Sequence, residues 1–288
     1  MYIYLNGKVV SKEEAVISPY DHGFMYGVGA FETFRTYDGF PFLIDEHLYR
    51  LHEALHELNI RLELDSDKVI KMVQTLLSRN EMSDAYFRLN VSGGAGDIGL
   101  QTETYEEPTV ILYTKPLVQT DTVSEKELIL LKTVRNTPEG EKRLKSHHYL
   151  NSILGKRELS DVNQEGVFLT KEGYISEGTV SNLFWVKQNQ VFTPGTSTGI
   201  LEGITRKWVM NVSESLNIPL KTGNYKIEEL VQADEVFLTN SIQELVPVKR
   251  FEHKVFPGAE GEVFQSYLSL YKAHTKEKRR TIDVFLKG

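Results

Sequence analysis

The sequence predicts a mixed α and β fold, α+β in class. It divides into a small N-terminal α/β lobe over residues 1–117, a linker over 118–125 and a larger C-terminal α/β lobe over 126–288. Three observations predict this. Short runs rich in β-branched and aromatic residues recur along the chain between Gly, Asn and Asp turns. Two stretches within the first eighty or so residues carry apolar side chains at helical spacing instead. The stretch LVQTDTVSEK, Leu117–Lys126, is polar and poor in apolar residues, as a connection between lobes is.

In chain order, YIYLNGKVV reads as a hairpin turning at Asn6-Gly7, and FETFRTYDGFPF as another turning at Asp38-Gly39. In DEHLYRLHEALHELNI, Leu48, Leu51, Leu55 and Leu58 fall one turn apart behind Asp45 as N-cap, with His47, His52 and His56 on the polar side. A second helix is expected over Asp67–Arg79, with Val69, Ile70, Val73, Leu76 and Leu77 on its apolar face. AYFRLNVSG and PTVILYTKP return to strand chemistry. Beyond the linker, ELILLKTV, GVFLT, SNLFWVK and EVFLTNS read as strands, and helices are expected to start near His148, Gly203 and Glu260. There is no convincing internal repeat and no low-complexity segment.

The charge balance narrows the function. Of 288 residues, 25% are charged and the formal net charge is −7, with the acids scattered, so no nucleic-acid partner is expected. The basic run Lys276–Arg280 reads as a solvated helix end. Absence of cysteine excludes disulfides, thiolate nucleophiles and zinc–thiolate sites. The start MYIYLNGKVV lacks the basic-then-apolar layout of a signal peptide, and no apolar run nears the roughly 20 residues that span a bilayer. A cytoplasmic protein with no membrane partner is therefore expected. No metal site is expected either: His147 and His148 diverge as neighbours, and His52 and His56, one turn apart, have no third ligand at useful spacing.

Several residues are candidates for chemistry. Lys145 lies in RLKSHHYLNSIL; a lysine acts as a covalent catalyst only when its amine is partly neutral, which burial and neighbouring cations such as Lys142 and Arg143 favour, whereas a lone lysine before a helix is ordinarily solvated. SGGAGDIG, Ser92–Gly99, lacks the lysine and hydroxyl of a P-loop and reads as a flexible loop beside a site. In ILEGITRKWV, Ile204 and Thr205 open a helix whose exposed amides and hydroxyl suit an anion, or simply a capped end. Thr239-Asn240-Ser241 makes a second hydroxyl-rich turn. In YISEGTVSNLFW, Glu177 sits at a Glu-Gly turn, either solvated or paired with a buried ring nitrogen.

Taken in order, LKSHHYLN, ISEGTVSNLFW, LEGITR and DEVFLTNSIQELVPV resemble the signature of the class IV pyridoxal-phosphate enzymes of fold type IV. That family includes branched-chain aminotransferases, D-amino-acid aminotransferases and aminodeoxychorismate lyases. DHGFMYGVGAFETFRTYDGFPFLIDEHLYRL resembles the family's opening segment, and the likeness runs from about residue 2 to residue 250. It implies pyridoxal 5'-phosphate as cofactor, joined covalently to Lys145, with Glu177 on the pyridine nitrogen and Leu201 against the ring face. Arg50, Ile204, Thr205, Ser241 and the amides near Ile242 would hold the phosphate. The strings FETFRTYDGFPFLIDEHLYRL and NLFW are closest in appearance to the aminodeoxychorismate lyases, which split 4-amino-4-deoxychorismate into 4-aminobenzoate and pyruvate for folate synthesis. SGGAGDIGL also lacks the arginine and histidine with which D-amino-acid aminotransferases trap a carboxylate, although many lyases carry an arginine in this loop. Arg88, alternating with Tyr86 on AYFRLNV, and Arg35 are the implied substrate contacts. A homodimer is implied as well. The alternatives are a D-amino-acid or branched-chain aminotransferase, and a non-catalytic binding protein that keeps the fold.

Overall fold

Both expected hairpin turns form with the positive φ angles that their residues tolerate. Asn6 and Gly7 take φ of 45° and 89°, Asp38 and Gly39 48° and 73°. The computed structural model describes residues 1–117 and 123–282, so positions 118–122 of the expected linker lie outside the described residues. The described chain groups into two units. The first takes in residues 1–117, Leu144–His148 and Thr275–Ile282; the second takes in residues 123–143 and Tyr149–His274.

The first unit contains β1 (Tyr2–Leu5), β2 (Lys8–Ser11), α1 (His22–Tyr26), β3 (Gly29–Tyr37), β4 (Phe40–Pro41), α2 (Ile44–Glu57), α3 (Ser66–Arg79), β5 (Ala85–Ser92) and β6 (Thr109–Pro116). The strands form one sheet in the order β2-β1-β6-β5-β3-β4, with every pairing antiparallel. Period 2 decides which face each side chain takes. Ala85, Phe87, Leu89 and Val91 of β5 are buried with Leu48, Leu51 and Leu55 of α2 and Val69, Val73 and Leu76 of α3, while Tyr86, Arg88 and Asn90 look the other way.

Three expectations need correction here. Asp45 does not cap α2. The helix starts at Ile44 behind Leu43, which is in the left-handed region (φ 55°, ψ 37°) and offers no side-chain cap. Its amides are satisfied from far away in sequence: Leu43 N–H and Asp45 N–H donate to the carbonyls of Arg279 and Arg280, both at 3.0 Å. The basic run is thus a solvated helix end only in part: Lys276, Glu277, Lys278 and Arg280 are exposed just past the helix that ends at Thr275, but the carbonyls of Arg279 and Arg280 cap α2. Finally, Lys145 groups with the first unit and not with the lobe expected to carry it. Phe31 N–H donates to Lys145 C=O (2.9 Å) and His147 N–H to Gly29 C=O (3.0 Å), so Leu144–His148 runs as a short antiparallel addition beside β3.

The second unit contains β7 (Lys126–Leu130), α4 (Leu150–Arg157), β8 (Gln164–Leu169), β9 (Ile175–Gly178), β10 (Asn182–Lys187), β11 (Gln190–Pro194), α5 (Ile204–Ser215), β12 (Leu220–Gly223), α6 (Glu228–Val231), β13 (Glu235–Asn240), β14 (Glu244–Phe251), β15 (Lys254–Val255) and α7 (Glu262–Thr275), whose last residue groups with the first unit. Its sheet runs β12-β11-β10-β13-β14-β7-β8-β9, with β15 on β14. The pairings β11/β12, β14/β7 and β7/β8 are parallel. Leu128, Val167, Ile175, Leu183, Trp185, Leu238 and Val248 fill one core of this unit.

Candidate active site

Strand β3 organises the candidate residues of the first unit. Glu32 falls on the buried register between Ala30 and Phe34, and is fully buried. A carboxylate there needs partners, and α2 supplies two. Arg50 grips it in a fork, Nε to Oε1 at 2.7 Å and Nη2 to Oε2 at 2.6 Å, while His47 Nδ1 lies 2.6 Å from Oε2. The ionised carboxylate only accepts, so Nδ1–H of His47 is the donor. His47 is therefore buried and engaged, not on the polar side of the helix. The sequence signal for this was Glu32 sitting in the alternation of buried positions on β3.

Burial opposes ionisation of Glu32, but the charge of Arg50 and the hydrogen bond from His47 outweigh it and bring its pKa down to about 2. Burial pushes His47 below its ordinary 6.5, outweighing the hydrogen bond and charge of Glu32 that favour the imidazolium, and the charges of Arg50 and Lys145 add to the lowering. Both shifts are downward and both penalise acid. The share due to Glu32 is present in full above about 4.5 and is lost as pH falls towards about 2; the share due to His47 is present above 6.5 and declines below it. Acid unfolding followed by circular dichroism should show this loss in the wild type, and a smaller pH-dependent fall below 4.5 in Glu32→Gln. Equal falls in the two proteins would contradict the assignment.

The preceding residue, Phe31, carries cations about its ring. Lys145 Nζ lies 4.8 Å from the ring centroid and Arg88 Cζ 3.6 Å from it. Asn90 orients Arg88 by accepting from its Nε and Nη2, at 3.3 and 3.2 Å. The same Asn90 oxygen lies 3.1 Å from Nε2 of His147, whose ring stacks on Phe31. Burial, helped by Arg88, lowers His147 to about 4, so it is neutral at ordinary pH and its Nε2–H donates. Register places Arg35 opposite Tyr86, one row beyond Thr33 and Arg88. Arg35 lies over the Tyr37 ring (4.8 Å) and Lys115 over the Tyr86 ring (4.7 Å). Thus Lys145, Arg50 and Arg88 converge on adjacent residues of β3, and Arg35 and Tyr86 form the outer end of the same strand pair.

The glycine loop is pinned, contrary to the flexible loop expected. His22, fully buried at the start of α1, makes Nε2···Asp97 O and Nδ1···Tyr105 Oη contacts, both at 2.9 Å. Gly96 N–H donates to Tyr20 C=O and Gly99 N–H to Tyr26 Oη. Gly94 (φ 79°) has no room for a side chain, since a Cβ would lie 2.0 Å from Glu107 O.

In the second unit, Glu177 lies on β9 and not at a turn, because Gly178 and Ile175 pair with Val167 and Leu169 of β8. It is buried among donors. Arg135 holds Oε1 through Nε (3.0 Å) and Nη2 (2.7 Å), and Arg143 Nε approaches the same oxygen at 3.7 Å. Oε2 accepts from Leu201 N–H at 2.9 Å and lies 3.4 Å from Asn182 Nδ2, which also reaches Leu201 C=O at 2.8 Å. Leu201 is thus tied to Glu177 through its backbone. Neither Arg135 nor Asn182 was singled out from sequence, and Arg143 was read only as a neighbour of Lys145.

Asn182 pairs with Thr239 across β10/β13, so the two side chains share a face of the sheet. Thr239 Oγ1 is buried and has no hydrogen-bond partner among the described residues. Gly203 is the N-cap of α5 and supplies no side-chain cap to the amides at Ile204 and Thr205. Its lack of a side chain is required, as a Cβ would meet Asn182 Oδ1 at 2.1 Å. At the turn after β13, Asn240 Oδ1 accepts from the amides of Ile242 (3.0 Å) and Gln243 (2.7 Å), so the Ile242 amide already has a partner within the chain. Ser241 lies between them.

In the first unit Lys145 and Arg88 flank the Phe31 ring, and in the second Glu177 is anchored by Arg135 and the Leu201 amide. Residues 29–251 match the family model of the class IV amino-transferases, and the chain belongs to that family. It has the mixed α/β architecture of the fold-type IV enzymes. Among relatives, it is 43% identical over 277 residues to an aminodeoxychorismate lyase of Bacillus subtilis (95% of this chain, 94% of the relative). It is 34% identical over 282 residues to a putative branched-chain-amino-acid aminotransferase of Methanocaldococcus jannaschii (94% and 96%). Similar solved structures include a branched-chain aminotransferase from Thermoproteus uzoniensis (TM-score 0.87, 26% identity, 98% and 97% coverage) and a 4-amino-4-deoxychorismate lyase from Pseudomonas aeruginosa (TM-score 0.82, 26% identity, 94% and 98% coverage).

Proposed function

We propose that this chain is a 4-amino-4-deoxychorismate lyase dependent on pyridoxal 5'-phosphate. The observation that carries the reading is its likeness, through nearly the whole of both chains, to the Bacillus subtilis lyase. The residues fit such a cofactor on chemical grounds. Lys145 offers an amine for an aldehyde, and Glu177 offers an acceptor held in place for a ring N–H. Arg50, the uncapped amides of Ile204 and Thr205, and the hydroxyls of Thr205, Thr239 and Ser241 suit a phosphate. Leu201 would pack on the ring. Ile242 has the weakest claim, its amide being shared with Asn240.

The bound cofactor supplies an electron sink beside the substrate's amine-bearing carbon. The rest belongs to the chain. The Lys145 amine takes the proton from that carbon, the carbon–oxygen bond to the enolpyruvyl group breaks, and its electron pair leaves with the oxygen. Lys145 then returns the proton to the methylene carbon of the departing group, giving pyruvate, while the ring left behind is aromatic. Atoms balance without water or oxidant, since the two products together have the composition of the substrate. Arg88, backed by Asn90, would hold a substrate carboxylate, with Tyr86 and Arg35 further along the strand pair. The enzyme is read as a cytoplasmic homodimer acting on this small molecule; among the described residues no helix is long and apolar enough to cross a membrane.

A second reading, aminotransfer, is favoured by the branched-chain aminotransferases among its relatives and structural neighbours. Cofactor-loaded protein given aminodeoxychorismate is expected to release 4-aminobenzoate and pyruvate in equal amounts. Release of neither, with a D- or branched-chain amino acid converting the cofactor to its amine form, would replace the lyase by a transaminase.

A further inference from the structure

The start of α2 departs from what helix ends require. Its N-cap, Leu43, is a leucine in the left-handed region, a conformation unfavourable for a residue with a Cβ, and it brings no side-chain acceptor. The acceptors come instead from the segment Arg279–Ile282, which lies beyond the residues matched by the family model.

The contact is reciprocal. The strap gives two carbonyls to the helix, those of Arg279 and Arg280 to the amides of Leu43 and Asp45. The helix gives a carboxylate back: Glu46 Oε1 accepts from Thr281 Oγ1 at 3.0 Å and from Ile282 N–H at 3.3 Å. This is the logic of a capping box, satisfied by a segment some 235 residues away. Glu46 is buried and Ile282 is completely so, which makes these bonds costly to lose. The ion pair of Arg280 with Asp67 on α3 is exposed and adds little.

The position along α2 gives the strap its consequence. Glu46 is followed directly by His47, and Arg50 lies one turn on from Glu46, on the same stripe. These two side chains hold Glu32. We infer that the strap Arg279–Ile282, through the Thr281–Glu46 contact, is a positioning element for His47 and Arg50, and so sets the affinity of the chain for its phosphate-bearing cofactor. The second half of that statement rests on the reading of Arg50 as a phosphate ligand.

The test uses full-length chain and two point variants, Thr281→Val, which removes the hydroxyl, and Thr281→Ser, which restores it. Amide hydrogen exchange over residues 44–57 and the dissociation constant for pyridoxal phosphate, by equilibrium dialysis, are measured in parallel. In Thr281→Val, exchange at Asp45–Arg50 should quicken and the dissociation constant should rise, each about tenfold, with β5 amides unchanged as the control for folding. The serine variant should restore both. Faster exchange with unchanged cofactor affinity would overturn the positioning role and leave the strap a structural clasp. Unchanged exchange would overturn the strap's hold on the helix. Failure of the unmodified chain to bind pyridoxal phosphate at all would sink the cofactor reading, and the affinity half of this proposal with it, while the exchange data would still read the contact with α2.

Discussion

Alanine in place of Lys145 should lower release of 4-aminobenzoate by about 10²–10⁴-fold while leaving the protein folded. The two halves of this expectation rest on different parts of the residue. The backbone of Lys145 anchors its segment, since its carbonyl takes the Phe31 amide and the neighbouring His147 amide reaches Gly29. Truncating the side chain leaves those bonds intact. What the side chain contributes to stability is its cation–π contact with Phe31, worth about 0.5–1 kcal/mol. Proton removal and return have no substitute, because the other nitrogen groups about Phe31 are the guanidinium of Arg88, which has donors and no acceptor, and His147, which already donates to Asn90. Lys145→Arg sharpens the test, as it keeps a cation near Phe31 but not an amine. Steady-state product release and urea unfolding curves decide it. Activity within tenfold of wild type in either variant would remove Lys145 from the chemistry; a large fall in the unfolding midpoint would make its role structural.

Sequence periodicity located the elements whose pattern is local. Alternation placed Tyr86 and Arg88 together and opposite Phe87 and Leu89, and helical spacing located α2, α3 and α5. The errors arose where a partner lies far along the chain. His47 reads as polar surface until Glu32, on another element, is brought against it. Asp45 reads as a cap because nothing nearby shows that carbonyls of Arg279 and Arg280 take the amides. Lys145 was assigned to the second lobe by contiguity, and only its pairing with β3 moves it. Short strands such as β11 and β12 have too few residues for a periodic signal, and Pro247 interrupts the apolar run of β14, where it pairs with Phe237. The candidate residues themselves come from family resemblance, whereas the groups that hold them, Glu32, Arg135, Asn182 and Asn90, had no such pointer. Such supporting residues carry no motif, because any donor in the right place would serve.

That distinction leads to the other large effect, at Glu177. Its carboxylate is surrounded by donors alone: Arg135 and Arg143 on Oε1, Leu201 N–H and Asn182 on Oε2. Removing it with alanine takes the carboxylate from two guanidiniums whose side chains are about nine-tenths buried, a loss of up to about 3–5 kcal/mol by analogy with other broken buried pairs, moderated by the acceptors they keep, Asn151 for Arg135 and the carbonyls of Asn136 and Gly199 for Arg143. Glutamine, the usual conservative choice, should be nearly as damaging here. Its amide NH₂ must point either at Arg135 or at the Leu201 amide, and each is a donor with no acceptor to offer it. Both variants should therefore unfold at distinctly lower urea concentration in the absence of cofactor, whereas a surface glutamate replaced by glutamine would shift the midpoint little. In the cofactor-loaded proteins both should also lose most activity, because the ring nitrogen would lose its ionised partner. Urea titration of the cofactor-free proteins separates the two contributions. If Glu177→Gln were as stable as wild type but inactive, the carboxylate would act on the cofactor alone, and the guanidinium anchors would need another explanation. If both variants were stable and active, the anchoring of Glu177 would have no functional consequence.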